Sequence, residues 1–456
     1  MDSKDYAYAT ATETVVALRR RETSSLELTD AAIARIERLD GVLNAVVVRD
    51  FERAREAAKA ADAARACGDD GALLGVPITV KESFDLVGHP TTWGYEPFRE
   101  HRATEDAVAV KRLKAAGAVL LGKTNVPVGL ADWQSFNPLY GRTVNPWDNE
   151  RSAGGSSGGS AVALSAGYVP LEMGSDIGGS VRVPAAFNGI YGHKPSWGIV
   201  SMRGHLPGGF AGAPPQLAVA GPLARSAEDL DLALGIVAGP DGDEATAWKL
   251  ALPAPRCTTL KGARVLVLDR HPRATTSNAM RSAIGRLAEE LASGGAAVSR
   301  ESSLLPDLAA QDDLYFPMLI TIVTRGQPGA QPPSAHEWMG FLDAQTRFRK
   351  QWAILFESFD VVVAPTFGRT AYPHDESANL DTSTIDVDGE ETPYRSHLSW
   401  PAVAIVPNLP ATAFPIGFDA GGLPLGAQAI GAFGEDRTTI AFARLAGKPF
   451  TPPSLG

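Results

Sequence analysis

The chain has 456 residues, with 42 Lys and Arg against 52 Asp and Glu, so its formal net charge is −10. An acidic chain lacks the basic field that phosphate binding requires, and we therefore expect no nucleic acid partner. Hydrophobic residues make up 44% and charged residues 21% of the chain, which is typical of a globular protein and argues against a disordered one.

Periodicity predicts mainly helices in the first 70 residues. Ser24 or Ser25 can cap a helix whose apolar residues recur at helical spacing over 26–39. A short apolar run follows over 44–48, and an alanine-rich charged segment then predicts a second helix over about 50–66.

Strands and helices then alternate along the chain. The segment 76–80 is a predicted strand that ends directly in Lys81. The later predicted elements are a helix over about 104–116, a strand over 118–121, a helix after Ser226, and strands over 264–268, 360–364, 411–416 and 425–430. This alternation is typical of an α/β fold, and we expect a large mixed β-sheet that helices cover on both faces.

A single domain over 1–456 is the expected organisation, although the length alone would suggest two or three domains. Its parts are a helical region over about 1–70, a core over about 75–225 and a C-terminal region over about 226–456. Three stretches rich in Gly, Pro or polar residues are predicted long loops, and none resembles a flexible linker: 204–222, 327–334 and 366–397.

No run of 18 or more apolar residues is present, so we expect no membrane partner. The N-terminal segment lacks a basic stretch followed by an apolar one, which favours a cytoplasmic location. Cys67 and Cys257 lie far apart and without metal-ligand spacing, so we expect neutral thiols, no disulfide framework and no metal site.

Residues 151–182 differ from the rest of the chain, because two glycine–serine clusters lie at 154–159 and 178–180. Glycine lets a ligand approach the main chain closely, and the first cluster leads into a predicted helix from Ser160. A flexible surface linker is the simplest alternative. The clusters lie between apolar residues, however, which favours a site.

Three known serine or glycine motifs are candidates for this segment. A phosphate-binding loop needs a lysine at the end of the cluster, and none is there. A serine β-lactamase pattern also fails, because no lysine has the required spacing. A nucleophile elbow matches 154–158, with Asp375 and His397 as its downstream acid and base, but the turn-like residues over 145–151 disfavour the strand that it needs.

Lys81 at a strand end, the cluster around Ser156 and the segment 176–180 together resemble the amidase signature family. The separation of Ser156 and Ser180 matches that family's fixed spacing. The resemblance spans about residues 10–446. The further matching motifs are Gly122-Lys123-Thr124-Asn125, Asn145-Pro146-Trp147, Gly192-His193-Lys194-Pro195, Ala364-Pro365-Thr366 and Gly422-Leu423-Pro424-Leu425-Gly426-Ala427-Gln428.

The resemblance implies the amidase signature fold and hydrolysis of amide C–N bonds through an acyl-enzyme, with no metal or cofactor. It implies a Ser–cis-Ser–Lys triad of Ser180, Ser156 and Lys81. A lysine can act as a base only when it is neutral, and burial at a strand end lowers its pKa in that direction. The remaining implied residues are the oxyanion-hole amides of Ile177, Gly178, Gly179 and Ser180, and the supporting residues Ser157, Asp176 and Arg182.

The substrate is less well specified by the sequence. Trp133, Gln134 and Phe136 precede the first cluster and are candidate pocket residues, with apolar segments over 315–320 and 338–341 as a further wall. These residues favour small aryl or alkyl amides, including anilides, and then carbamates. The alternatives are a noncatalytic binding member of the same fold and a glutamine-hydrolysing amidotransferase subunit, whose characteristic segment is not found near 320–370. We expect a monomer or a homodimer.

Overall fold

The computed structural model describes residues 6–206, 212–327, 329–450, 453 and 455. Within them, strands form one large sheet and three two-stranded ribbons. The strands are β1 (Val46–Arg49), β2 (Pro77–Lys81), β3 (Val119–Thr124), β4 (Phe136–Asn137), β5 (Gly141–Arg142), β6 (Val144–Asn145), β7 (Asp148–Ser152), β8 (Leu171–Asp176), β9 (Tyr191–Lys194), β10 (Val219–Ala224), β11 (Arg264–Val267), β12 (Ala297–Ser299), β13 (Val361–Pro365), β14 (Thr384–Val387), β15 (Glu390–Pro393), β16 (Ala411–Phe418) and β17 (Pro424–Ile430).

Helices connect these strands and pack against the sheet. They are α1 (Ala11–Arg19), α2 (Ser25–Leu43), α3 (Phe51–Ala66), α4 (Val108–Ala115), α5 (Gly158–Ser165), α6 (Arg182–Asn188), α7 (Ala227–Val237), α8 (Glu244–Ala247), α9 (Asn278–Ser293), α10 (Leu308–Val323), α11 (Ala335–Ser358), α12 (Ser399–Ile405) and α13 (Asp436–Ala446). Short 3-10 helices occur at Glu96–Phe98, Val128–Leu130 and Tyr394–Leu398.

The large sheet has eleven strands in the order β1-β3-β2-β8-β10-β9-β16-β17-β13-β11-β12. It is mixed: β2 pairs in parallel with both β3 and β8, whereas β10 is antiparallel to β8 and β9. Because the carboxyl ends of parallel neighbours meet at one edge, the residues that end β2 and β8 lie together.

Side chains of the central strands alternate between two apolar cores, as strand geometry requires. Leu120 of β3 lies in one core with Ile78 and Val80, while its neighbours Val119 and Leu121 lie in the other. Helices α4, α7, α9 and α13 contribute to the first core, and α2, α3 and α5 to the second. The expected mixed α/β fold with helices on both faces is therefore confirmed.

Several predicted elements are confirmed in detail. The Ser24 side chain caps α2 and the Ser226 side chain caps α7. Other boundaries were wrong. The helix expected from about 104 begins at Val108, because the Asp106 carboxylate accepts hydrogen bonds from the Val87 amide and Lys114 instead of capping the helix. The helix expected from Ser160 already begins two residues earlier.

Two regions that the sequence predicts to be loop or turn instead contain regular secondary structure. The stretch 366–397 contains β14, β15 and part of a 3-10 helix. The residues over 145–151 form the ribbon of β6 and β7. Parts of two other expected loops, residues 207–211 and 328, lie outside the described residues. In the part of the chain that the structure describes, no helix is long and apolar enough to cross a bilayer.

Candidate active site

Lys81 ends β2 and is completely buried. Its Nζ atom donates hydrogen bonds to Ser156 Oγ at 2.7 Å and to Ser175 Oγ at 3.0 Å. Ser175 is the next-to-last residue of β8, the strand beside β2, so the parallel pairing explains why the two side chains meet. The structure thus brings the predicted lysine and the first predicted serine into direct contact.

The protonation of Lys81 is set mainly by its burial. Removal from water disfavours the charged ammonium and lowers the pKa of Lys81 to about 7, against opposing attraction from Asp176 and Glu82. Near neutral pH a substantial fraction of the amine is therefore neutral. A neutral amine within hydrogen-bonding distance of a hydroxyl can accept its proton.

The loop that contains Ser156 approaches the loop that contains Ser180. The peptide bond between Gly155 and Ser156 is cis. The backbone amide of Ser157 donates to the carbonyl oxygen of Ser180 at 3.1 Å, so the two loops are joined next to both serines. The Ser156 and Ser180 side chains are buried, Ser180 being 5% exposed.

A buried ion pair organises the loop after β8. The Asp176 carboxylate accepts two hydrogen bonds of 3.0 Å from Arg182, and both side chains are excluded from solvent. It also accepts from the backbone amides of Gly179 at 2.9 Å and Val181 at 3.2 Å. Burial alone would raise the pKa of Asp176, but the charge and hydrogen bonds of Arg182 hold it below its usual value.

The contact between Asp176 and Gly179 bears on the expected oxyanion hole. The Gly179 amide donates its hydrogen bond to the Asp176 carboxylate, so it does not point toward a site where a substrate oxygen could bind. Among the described residues, no hydrogen-bond partner is recorded for the amides of Ile177, Gly178 or Ser180. Three of the four amides implied by the resemblance thus have no protein acceptor in the described part of the chain.

Two aromatic side chains hold the carbonyl oxygens of the same loop. Trp133 Nε1 donates to the Gly178 carbonyl at 2.9 Å, and the Tyr315 hydroxyl donates to the Ile177 carbonyl at 2.8 Å. Trp133 is 4% and Tyr315 1% exposed, so water competes little for these contacts. Both side chains act on the geometry of the loop.

The C-terminal sequence motif also reaches this loop. Arg182 donates to Gln428 Oε1 at 2.6 Å, and Gln428 donates in turn to the carbonyl oxygens of Pro365 and Trp400, each at 3.0 Å. Gln428 lies in β17, so the guanidinium links the start of α6 to the centre of the sheet. Through these hydrogen bonds, Gln428 of the C-terminal motif supports Arg182 and the loop that precedes it.

The predicted pocket residues are not all brought together. Gln134 is buried and exchanges hydrogen bonds with the backbone of Asp375, so it anchors a distant segment. Phe136 is half-buried in β4, paired with Arg142 of β5. Of these three predicted residues, Trp133 is the one with a side-chain hydrogen bond to the loop after β8 in the part of the chain that the structure describes.

The nucleophile-elbow alternative has no support in the geometry. His397 stacks on Phe367 and its Nε2 lies 3.0 Å from Thr392 Oγ1, while burial lowers its pKa to about 4. The Asp375 carboxylate accepts from Ser377. Neither side chain has a recorded hydrogen bond to Ser156 in the described residues.

Sequence reasoning overlooked Ser175 and the hydrogen bond of Tyr315. Ser175 could have been noticed as a polar residue near the end of an apolar segment, which is β8. In the structure this strand lies parallel to β2, the strand that ends in Lys81. Tyr315 was noted only as part of an apolar wall. Its contact with Ile177 depends on how α10 packs, which no local pattern indicates.

Comparisons with known proteins identify the family to which the chain belongs. The model of the amidase family matches residues 27–325 and 322–440. A glutamyl-tRNA(Gln) amidotransferase subunit from Roseiflexus sp. (strain RS-1) is 35% identical over 471 residues, covering 93% of each chain. Fatty-acid amide hydrolase 2-A from Danio rerio is 32% identical and covers 95% of this chain and 87% of its own.

A solved structure gives the same result. The crystal structure of a bacterial aryl acylamidase of the amidase signature enzymes superposes with a TM-score of 0.81 at 25% identity, over 96% of each chain. Family match, sequence relatives and fold therefore agree over almost the whole length. The chain belongs to the amidase family and is an amide hydrolase of the amidase signature type.

Proposed function

We propose that this protein hydrolyses amides through an acyl-enzyme formed on Ser180. The observation that supports this most strongly is the 2.7 Å contact between the buried amine of Lys81 and Ser156 Oγ. Ser156 would relay a proton, because the Ser157 amide fixes its loop against the Ser180 carbonyl at 3.1 Å. No metal is needed for such a relay.

The proposed reaction begins when neutral Lys81 takes the proton of Ser156, which takes that of Ser180. The Ser180 oxygen attacks the amide carbon, and the backbone amides of Ile177, Gly178 and Ser180 stabilise the negative oxygen that forms. The relay returns the proton to the nitrogen, and the C–N bond breaks. Water then loses its proton to the same relay and attacks the ester, which releases the acid and restores Ser180.

Small aryl or alkyl amides, including anilides, are the first proposed substrates, with carbamates next. Trp133, Tyr315 and Leu398 belong to one apolar cluster against which Ile177 packs. Such surroundings suit an apolar group beside the reacting carbonyl better than a fully hydrated one. The structural likeness to an aryl acylamidase supports the same class.

Glutamine hydrolysis is the second candidate, and the sequence relatives favour it over the first. The amidotransferase relative is 35% identical over nearly the full chain. Glutamine carries an ammonium and a carboxylate that a site must neutralise. A cleft of about 380 Å³ next to Tyr315 and Leu398 is lined by charged side chains of both signs: Arg273, Asp312, Asp313 and Arg395.

The decisive experiment measures hydrolysis of glutamine, nitroanilides, phenyl carbamates and simple esters by one preparation, with Ser180→Ala as the control. Turnover of anilides but not of glutamine supports the first class, and the reverse pattern supports the second. An active-site fluorophosphonate should label Ser180, and Lys81→Ala should abolish the labelling. Folded protein that neither reacts with the probe nor turns over any substrate would contradict both and indicate a noncatalytic member.

A further inference from the structure

Tyr315 is the one side chain of α10 that donates a hydrogen bond to the loop after β8 within the described residues. Its hydroxyl donates to the Ile177 carbonyl oxygen at 2.8 Å, and its side chain is 1% exposed. Burial raises the pKa of Tyr315 above its usual value, so the hydroxyl stays protonated and remains a donor at all ordinary pH values.

The planarity of the peptide bond gives this contact a consequence at the next residue. In a trans peptide, the carbonyl of one residue and the N–H of the following residue point in opposite directions. Holding the Ile177 carbonyl toward Tyr315 therefore turns the Gly178 N–H away from α10. That N–H has no recorded partner among the described residues.

The following peptide unit behaves differently. Trp133 holds the Gly178 carbonyl at 2.9 Å, and the N–H on the far side of that peptide, at Gly179, meets Asp176 at 2.9 Å. Both ends of this peptide are thus occupied by the protein. In the peptide held by Tyr315 only the carbonyl end is occupied, so its N–H is left for a ligand.

Gly178 is packed closely against Leu398 and Tyr315. A Cβ atom built on Gly178 would lie 3.0 Å from Leu398 Cδ2 and 3.5 Å from the Tyr315 hydroxyl. The first distance is tighter than most carbon contacts, so the Leu398 side chain would have to shift slightly, whereas the second is an ordinary van der Waals contact.

We propose that Tyr315 is a positioning residue whose hydroxyl aims the Gly178 amide at the negatively charged oxygen of the tetrahedral intermediate. This inference rests on the proposed acyl-enzyme reaction at Ser180. Through Tyr315, helix α10 would help to stabilise the transition state of that reaction. Tyr315 itself does not touch the reacting atoms in this role.

The test is Tyr315→Phe, which removes one oxygen and keeps the ring. We expect kcat to fall about tenfold, less than the roughly 10²–10³-fold loss that follows removal of an oxyanion donor itself. KM should stay within about twofold, since substrate binds before the charge develops. The pH at which kcat/KM is half-maximal should not move, because Lys81 is unchanged. A trifluoromethyl ketone that mimics the tetrahedral intermediate should bind more weakly by the same factor as kcat/KM falls.

Tyr191→Phe is the matched control, since Tyr191 is also buried but lies in β9 and has no hydroxyl hydrogen bond recorded in the described residues. It should leave kcat and ketone affinity unchanged. Placing 4-aminophenylalanine at 315 restores a donor and should recover kcat, whereas 4-methylphenylalanine should not. This pair tests the inference even where Tyr315→Phe fails to fold.

Three outcomes would overturn the inference. They are a kcat of Tyr315→Phe within about twofold of the parent, a rise in KM at unchanged kcat, or equal activity of the amino and methyl analogues. The proposed function fails separately, when Ser180→Ala keeps its activity. An inactive Ser180→Ala together with a fully active Tyr315→Phe would reject the role of Tyr315 alone.

Discussion

Lys81 reaches its partners with a side chain wholly removed from solvent, and this burial lowers its pKa to about 7. Below this pH the amine is protonated and cannot accept the Ser156 proton. Above it the amine is neutral and can. The direction of the shift therefore determines the pH range in which the proposed relay works.

We expect kcat/KM for an uncharged amide to rise with pH through about 7 and to level off above about 8. A pH–rate profile measured between pH 5.5 and 9 checks this. A flat profile, or one that falls as pH rises through 7, would contradict the assignment of Lys81 as the base.

Replacement of the base tests the same residue independently. Lys81→Met should lower kcat/KM by about 10²–10⁴-fold, the usual contribution of a general base. Lys59→Met serves as the control, because Lys59 is exposed on α3 and its loss should leave the rate unchanged. Similar rates for both variants would refute the proposed role.

Gly179 has a backbone that requires glycine. Its φ is +91°, and an added Cβ would lie 2.8 Å from both Pro401 Cγ and Val183 Cγ2. We expect Gly179→Ala to destabilise the fold by about 1–3 kcal/mol through backbone strain, with further loss from overpacking. Urea unfolding measures the change.

The matched control for this substitution is Gly340→Ala, since Gly340 lies in α11 and an added Cβ meets nothing within 4 Å. There alanine should stabilise by up to about 1 kcal/mol, because it favours the helix. Equal effects of the two substitutions would show that the environment of Gly179 is not as described.

At the scale of elements, the start of α6 is tied to β8 and β17 through one guanidinium. Arg182 pairs with Asp176 and also donates to Gln428, and all three side chains are fully buried. Removing one partner of a buried pair leaves the other charge without compensation. Such a loss costs much more than the loss of an exposed pair.

Arg182→Met should therefore destabilise the protein by about 3–5 kcal/mol and lower activity, because Asp176 would no longer be fixed against the loop. Arg19→Met, which breaks the exposed pair with Asp70, should cost less than about 1 kcal/mol. Chemical denaturation of the two variants provides the comparison. A smaller loss for Arg182 than for Arg19 would exclude this account.

Sequence patterns predicted some of these elements well and others poorly, for physical reasons. Buried apolar runs identified β2 and β13, and Lys81 at the end of a buried strand was a clear signal. The β14–β15 hairpin was missed in a polar region, although Asp388-Gly389 is a typical two-residue turn and both residues have positive φ. The contacts of Tyr315 and Gln428 could not be predicted without the tertiary packing, because each side chain bonds to a residue more than 130 positions away in sequence.

At the scale of the whole molecule, the large sheet continues without a break from strands of the first half of the chain to strands of the second. Strand β9 lies in the first half of the chain and pairs with β10 on one side. On its other side it pairs with β16, which lies in the last tenth of the chain. The first helix is also held from a distance, since Asp229 accepts from the amides of Ala11 at 2.7 Å and Thr12 at 2.9 Å. The strands of the large sheet that precede residue 225 all lie on one side of the β9–β16 pairing, and those that follow residue 263 lie on the other. That pairing and the Arg182–Gln428 hydrogen bond join the two parts into one continuous sheet with shared packing.

We therefore expect one cooperative thermal transition, in which activity and sheet structure are lost together. Differential scanning calorimetry, with circular dichroism and residual activity followed over the same temperatures, checks this. Two resolved transitions, or a protease-resistant fragment ending near residue 225, would show that the expected single domain is in fact two.

The origin of the groups around the loop after β8 has a further consequence. Lys81, Ser156 and Ser180 all come from one stretch of about a hundred residues, whereas Tyr315, Leu398 and the charged cleft beside them come from a later stretch of the chain. Trp133 belongs to the earlier stretch, but under the proposed mechanism mutation of the later one can alter which amide is accepted and leave the proposed relay unchanged. Such a division would be compatible with the similarity of this chain to proteins as differently named as an aryl acylamidase and a glutamyl-tRNA(Gln) amidotransferase subunit.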